Sequence, residues 1–364
     1  MSIDSQDSLK YWLALKQIYA LGPIAWKKLL THFTDPAEIW HASQHKLSET
    51  RLPKKIVDLV ISERSRISPE RCLERLNKNT LSVVTITDKA YPTLLKTIYD
   101  PPPVLFYRGD VRLLSATVVG IVGSRRPNSY GKHVTDLITA DASRNGLVTV
   151  SGLAFGIDTI VAKSTLAAGG KTIAVLGSGL DQIYPVANRP LAEKIIAGGG
   201  LVISEFIPGT PALKHHFPLR NRIIAGLSAA VIITQAGETS GALITARYAA
   251  EHGREVFAVP GPITDPLSAG VNQLIVDGAT PYQTVADLLT ALHLTPEITA
   301  KKQTVQLTPT EEKIVLVLTH QPTHVDKIVQ AVRLEIPIVN ATLAALELKR
   351  VIKNVGNQTF IKLP

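Results

Sequence analysis

The residues able to do chemistry in this 364-residue chain gather in short, glycine-marked turns. Gly123-Ser124-Arg125-Arg126-Pro127 follows a run of Val and Ile. Small residues there let backbone amides approach an oxyanion, and a helix starting next points its positive end at the same place. Arg125 or Arg126 can add a bidentate contact to phosphate. Ser151-Gly152-Leu153-Ala154-Phe155-Gly156-Ile157-Asp158 is a second such turn, and Gly177-Ser178-Gly179 a third. The run Lys214-His215-His216-Phe217-Pro218-Leu219-Arg220-Asn221-Arg222 sets cations around an aromatic ring, and Gln235-Ala236-Gly237-Glu238-Thr239-Ser240-Gly241 closes the series. A cationic groove with an aromatic is how single-stranded nucleic acid is held without reading its sequence. The candidate set is therefore Gly123, Ser124, Arg125, Lys171, Lys214, Phe217, Arg220, Asn221 and Arg222.

Charge placement supports the set. No Asp or Glu occurs from Val111 to Thr135, from Thr159 to Leu180, or from Phe206 to Gly237, and these stretches hold Arg112, Arg125, Arg126, Lys132, Lys163, Lys171, Lys214, Arg220 and Arg222. The competing reading is that the arginines pair with Glu205, Glu238 or Asp158, and that Phe217 is core. Other chemistries fit less well. Gly120-x-x-Gly123 is not the G-x-G-x-x-G of a dinucleotide site, Gly177-Ser178-Gly179 has Gln182 where a third glycine belongs, and no G-x-x-x-x-G-K-[ST] loop is present. No His, Cys or carboxylate cluster has metal-ligand spacing, and no Ser–His–Asp set can be assigned from order alone.

These turns need a scaffold that delivers them to one edge. Apolar strands at 117–122, 147–150, 172–176, 201–204, 230–233 and 255–259 alternate with helices near 130–144, 157–168, 189–197, 219–227, 241–252 and 270–277. Continuous apolar strands alternating with helices predict an α/β, doubly wound parallel sheet covered on both faces, with its site at the carboxyl ends of the strands. Residues 1–70 read as a helical domain: Leu13, Leu15 and Ile18, then Trp26, Leu29 and Phe33, follow helical spacing around the breaker Leu21-Gly22-Pro23, and a further helix is predicted at 53–66. The core domain is read as 71–293, and its opening segment 71–110 as a helix-free bridge, since Tyr91-Pro92 and Pro101-Pro102-Pro103 rule out helix there and Val104–Tyr107 reads as a strand. Residues 294–307 read as a linker. Helices near 309–319, 324–332 and 338–349 and two strands joined at Gly356 give 308–364 the outline of a winged helix.

Composition sets the outer bounds. Hydrophobic residues make up 45% and charged residues 19%, which excludes a wholly disordered chain. The net charge of +9 divides as +4, +2 and +3 over residues 1–110, 111–295 and 296–364, so no segment is a polybasic tail. Cys72 is the one cysteine, which rules out an intramolecular disulfide and a cysteine-based zinc site. The polar N-terminus does not read as a signal peptide, and the longest apolar stretch, Ile223–Thr234, is shorter than the about 20 residues a membrane span needs. The chain reads as soluble and cytoplasmic.

Gly123-Ser124-Arg125 with Pro127 and Ser129-Tyr130-Gly131, Ser151-Gly152-Leu153-Ala154 with Gly156-Ile157-Asp158, Phe217-Pro218 with Arg220-Asn221-Arg222, Ser240-Gly241 with Thr245, Val259-Pro260-Gly261 and Gly270-Val271-Asn272 resemble, in order and spacing, the DNA-processing protein A family, DprA or Smf. The resemblance covers roughly residues 80–290. It implies an extended Rossmann core that binds single-stranded DNA, a helix-hairpin-helix or SAM-like N-terminal domain, and a C-terminal winged helix. It also implies a homodimer that receives incoming strands in natural transformation and loads the recombinase RecA, with no catalytic role and no cofactor. The DNA pocket it implies uses Arg125 of the Gly-Ser-Arg turn, with Lys214 and Phe217 in Lys-x-x-Phe spacing. Ala162 stands where the family commonly has His. The alternative is a nucleotide-processing phosphoribohydrolase of the lysine-decarboxylase-like type. That would call for a P-G-G-x-G-T-x-x-E loop, and Gln235–Gly241 lacks both the double glycine and the later Glu. A weaker third reading is a DNA-compacting protein acting through its termini.

Overall fold

The computed structural model describes residues 3–294, 307–318, 322–349 and 351–362, which divide into two units, one within Met1–Glu297 and one within Ile298–Pro364. The linker predicted at 294–307 falls almost wholly outside the described residues.

The first unit opens with α1 (Ile3–Gln17), α2 (Pro23–His32), α3 (Pro36–His41), α4 (Gln44–Glu49), α5 (Lys54–Arg64) and α6 (Pro69–Lys78). Sequence pattern separated α1, α2 and α5 and missed the rest. The two six-residue helices are too short to show a period, though Asp35 and Ser43 cap them by accepting the amides of Ala37 and Lys46. α6 contradicts the expectation of a helix-free segment after residue 70: Pro69 occupies its first turn, where a missing N–H is harmless, and Cys72 and Leu76 are buried on its inner face. Trp12 of α1 stacks on Trp26 of α2, centroids 4.9 Å apart.

These helices are not a separate body. Their apolar faces run into one core with Phe106, Ala162, Ala174 and Val202 of the sheet region. The predicted boundary at residue 70 thus falls inside a single compact unit.

Next come β1 (Ser82–Thr85), the one-turn α7 (Thr93–Lys96) and β2 (Val104–Gly109). The doubly wound part follows as β3 (Val118–Val122), α8 (Ser129–Arg144), β4 (Val148–Ser151), α9 (Ile157–Ala167), β5 (Thr172–Val175), α10 (Arg189–Ala197), β6 (Leu201–Ser204), α11 (His216–Leu227), β7 (Ala230–Ile233), α12 (Ala242–Glu251), β8 (Glu255–Ala258), α13 (Ala269–Val276), β9 (Thr280–Pro281) and α14 (Val285–Ala291). The strands form one sheet in the order β1-β2-β6-β5-β4-β3-β7-β8-β9; β2 pairs antiparallel with both β1 and β6, and the other pairs are parallel. All residues of β3, β4, β5, β6 and β7 are buried, as a sheet covered on both faces requires. From β3 the chain moves outward through β4, β5 and β6, then returns to place β7 on the other side of β3. That reversal opens a crevice at the carboxyl ends of β3, β4 and β7.

The second unit holds α15 (Pro309–Val317), β10 (Thr323–His324), α16 (Val325–Val332), α17 (Ile336–Leu348), β11 (Ile352–Gly356) and β12 (Thr359–Lys362), with sheet order β10-β12-β11. It is the predicted winged helix, with one short strand more. Ile314, Ile328, Val339, Leu343 and Leu346 close its own core. Among the described residues no single helix is long and apolar enough to cross a membrane.

Candidate nucleic-acid interface

A cleft of about 750 Å³ opens at the reversal point. Gly123, Ser124, Arg125 and Arg126 after β3, Ala154 after β4, Tyr184 after β5, and Gly237, Ser240 and Gly241 after β7 line it. Lys214, Phe217, Pro218, Arg220 and Asn221 complete the wall. The first turns of α9, α11 and α12 reach it through Asp158, Phe217 and Ala242, so three positive helix ends converge there.

The Gly123-Ser124-Arg125 turn is held by its neighbours. Ser124 N–H donates to the Gln235 carbonyl at 2.7 Å, and the Ser124 carbonyl accepts from Ile157 N–H at 3.1 Å. The Gln235 side chain accepts from Asn128 N–H at 3.1 Å and donates to the Asn128 amide oxygen at 2.9 Å. Gly156, at φ +75°, sits so close that a Cβ there would lie 2.4 Å from the Ser124 carbonyl oxygen. With its backbone thus fixed, exposed Arg125 extends its guanidinium over the Phe217 ring, 5.1 Å from the centroid.

α11 begins at His216, one turn before the predicted 219. Pro218 is compatible with the earlier start, because proline in a first turn loses no hydrogen bond. The earlier start puts Phe217 at the helix's positive end, half-buried, with the exposed Lys214 just before it. Buried His216 stacks on Phe206 with centroids 4.2 Å apart, and burial together with His215 lowers its pKa, so it is neutral at pH 7.

Arg220 is 3% exposed. Its Nη1 lies 3.9 Å from Asp158 Oδ2, which already accepts the amides of Gly152 and Ala154 at 3.1 and 3.2 Å. Its Nε has no hydrogen-bond partner among the described residues. Burial pulls this guanidinium down to about 10 against the opposing pull of Asp158, which leaves it charged at neutral pH. The room it occupies exists because residue 152 is glycine: a Cβ there would lie 1.3 Å from Arg220 Nη1. Asn221 ties α11 to α12 by donating to the Gly241 carbonyl at 3.2 Å.

Two candidates do not belong to the cleft. Arg222 points to the other side of α11, 3% exposed; it donates to the Asp100 carbonyl at 2.8 Å, pairs with the Asp100 carboxylate at 3.3 Å and bonds Glu205. Here the competing pairing with Glu205 is the correct reading. Lys171 directly precedes β5, at the amino-terminal edge of the sheet, and donates to the Gly198 carbonyl at 2.6 Å. Ala162 is buried in the apolar core shared with the N-terminal helices. Sequence reasoning missed Gln235 as the clamp of the Arg125 turn and Tyr184 as part of the wall. Only their positions after β7 and β5 could have flagged them. Among the described residues, no group of three or more His, Cys, Asp or Glu side chains could hold a metal ion.

Comparison with known proteins agrees with this geometry. Residues 82–293 match the family model of DNA recombination-mediator protein A, and residues 298–357 that of the DprA winged helix domain. Protein Smf of Synechocystis is 36% identical over 93% of this chain and 94% of its own length. DNA processing protein DprA of Bacillus subtilis is 46% identical over 61% of this chain and 75% of its own. The crystal structure of DNA processing protein A from Streptococcus pneumoniae superposes with a TM-score of 0.67 at 36% identity, covering 80% of this chain and 98% of that one. The Helicobacter pylori protein, whose single-stranded DNA binding mode has been described structurally, gives 0.53 at 32% identity, covering 58% and 95%.

Proposed function

The chain belongs to the DNA recombination-mediator protein A family, and we propose that it binds single-stranded DNA in the cleft at the carboxyl ends of β3, β4 and β7 and helps to load RecA onto incoming strands in natural transformation and recombination. One observation carries the binding: Arg220, a guanidinium almost wholly out of water, lines the cleft, and among the described residues its Nε has no hydrogen-bond partner and its Nη1 only a 3.9 Å contact with Asp158. A buried donor left unmatched is costly, and a phosphate brings both acceptors and charge. Arg125 and Lys214 supply further cations at the rim and Phe217 a surface on which a base can stack. The single-strand binding of the Helicobacter pylori relative supports this reading, and membership of a recombination-mediator family supports the RecA part. On this reading the protein is a cytoplasmic homodimer that binds rather than catalyses and needs no cofactor.

Gel shifts with single- and double-stranded oligonucleotides of equal length, over several salt concentrations, test the proposal. Unpaired bases can reach Phe217 and paired bases cannot, so a preference of about 5- to 150-fold for the single strand is expected from one stacked base. Equal affinity for both forms at moderate salt would sink it.

The winged helix is expected to add little to this affinity. Most exposed residues of α17 (Ile336, Pro337, Ile338, Ala341, Ala344 and Leu348) offer no side-chain donor to bases, and Asn340 is the exposed exception. Removing residues 296–364 should weaken single-strand binding by less than the about tenfold that 1.4 kcal/mol represents. Loss of most of the affinity in the truncated chain would move the main DNA site to the tail.

A further inference from the structure

Tyr184 is a large aromatic left 47% exposed on the wall of the cleft, on a loop held firmly in place. Its chain neighbours Ile183 and Pro185 are both buried, which turns the intervening side chain outward. Ser178 Oγ donates to the Gln182 carbonyl at 2.6 Å, and Asn188 N–H to the Pro185 carbonyl at 2.9 Å. The Asn188 side chain donates to the Leu153 carbonyl at 2.9 Å and to Thr159 Oγ1 at 2.8 Å, fixing this loop to the turn after β4. A tyrosine presented so rigidly to water contributes little to packing.

The Tyr184 and Phe217 ring centroids are 5.8 Å apart, with planes inclined at 47°. Arg125 covers part of Phe217, whereas no cation lies over Tyr184 among the described residues. We propose that Tyr184 is a second stacking face, so that the cleft takes two consecutive unpaired nucleobases, one on Phe217 and the next on Tyr184. The ring spacing exceeds the about 3.4 Å per nucleotide of a duplex strand, so only bases splayed apart reach both rings. The inference rests on the single-strand reading of the same cleft.

The full chain is compared with Tyr184→Ala, Tyr184→Leu and Tyr184→Phe in binding to fluorescently labelled oligothymidylate, with Phe217→Ala alongside. Tyr184→Ala and Tyr184→Leu should each weaken binding by about 5- to 150-fold, the range for one lost base stack. The slope of log K against log salt should stay unchanged, because no charge is removed. Tyr184→Phe should bind like the parent. The leucine variant keeps apolar bulk and lacks only the ring, so it answers the question even if the alanine variant melts early. Should both non-aromatic variants bind like the parent while Phe217→Ala fails, the second face is refuted and the single-strand reading stands. If the parent chain itself does not prefer single strands, both fall together.

Discussion

Arg222→Ala is expected to lower the melting temperature by roughly 6–20 °C, from a loss of about 3–5 kcal/mol on removing one partner of a buried ion pair at about 2–4 °C per kcal/mol. The cause lies in what stays behind. Arg222 joins the segment before β2, through the carbonyl and carboxylate of Asp100, to the end of β6, through Glu205. Without it, two carboxylates remain in a region where burial already raises the Asp100 pKa and Arg222 pulls it back down. Lys16 of α1 interacts with Glu205 and offsets part of the loss, although burial lowers its own pKa. At a temperature where the variant is folded, its affinity for single-stranded DNA should equal that of the parent chain, because Arg222 does not reach the cleft. A variant that melts normally and fails to bind would return this residue to the site.

Arg220 and Arg222 also show what a sequence can and cannot say. They are two positions apart on α11, so they point to different sides of the helix. The acid-free run from Phe206 to Gly237 marked both as cations without a local partner. Their partners come from distant segments: Asp158 from α9 for one, Asp100 and Glu205 for the other. Only the assembled sheet decides which arginine faces ligand and which faces protein. Lys171 is a different case, since it stands just before β5, and the rule that sites lie at carboxyl ends already argues against it.

The strands were legible because a parallel sheet buried on both faces writes itself as unbroken Val and Ile runs, as in Val118–Val122 and Ala230–Ile233. Their order in space was legible only as a class. That β7 returns beside β3 follows from packing across the whole sheet, and this return gathers the separate glycine turns into one cleft. The N-terminal helices were half legible: α1 and α2 carry Leu and Trp at helical spacing, whereas α3 and α4 are short and show themselves mainly by their caps.

Phe217→Ala and Arg125→Ala are expected to fail in different ways, and not independently. Phe217→Ala removes a stacking surface and should weaken single-strand binding by about 5- to 150-fold with the salt slope unchanged. Arg125→Ala removes a charge, and the slope of log K against log salt should become shallower by about 0.7, the share of one single-strand phosphate contact. In the free protein the Arg125 guanidinium rests over the Phe217 ring. A base that stacks there must displace it or sandwich it, and displacement forfeits a contact worth about 0.5–1 kcal/mol at an exposed site. Either single variant is spared that cost, because the contact no longer exists to be displaced, so with displacement the double variant should lose more than the sum of the single losses by about 0.5–1 kcal/mol, the non-additivity that contacting residues show. Stability separates site from scaffold. Phe217 is only half-buried and packs its edge against Gly177, where a Cβ would lie 3.0 Å from the ring. Its truncation should therefore cost less than the about 3–5 kcal/mol of a fully buried phenylalanine. A Phe217→Ala chain that melts far earlier, and binds only in proportion to its folded fraction, would make this ring part of the core and leave the cleft as a basic groove around Arg125, Lys214 and Arg220.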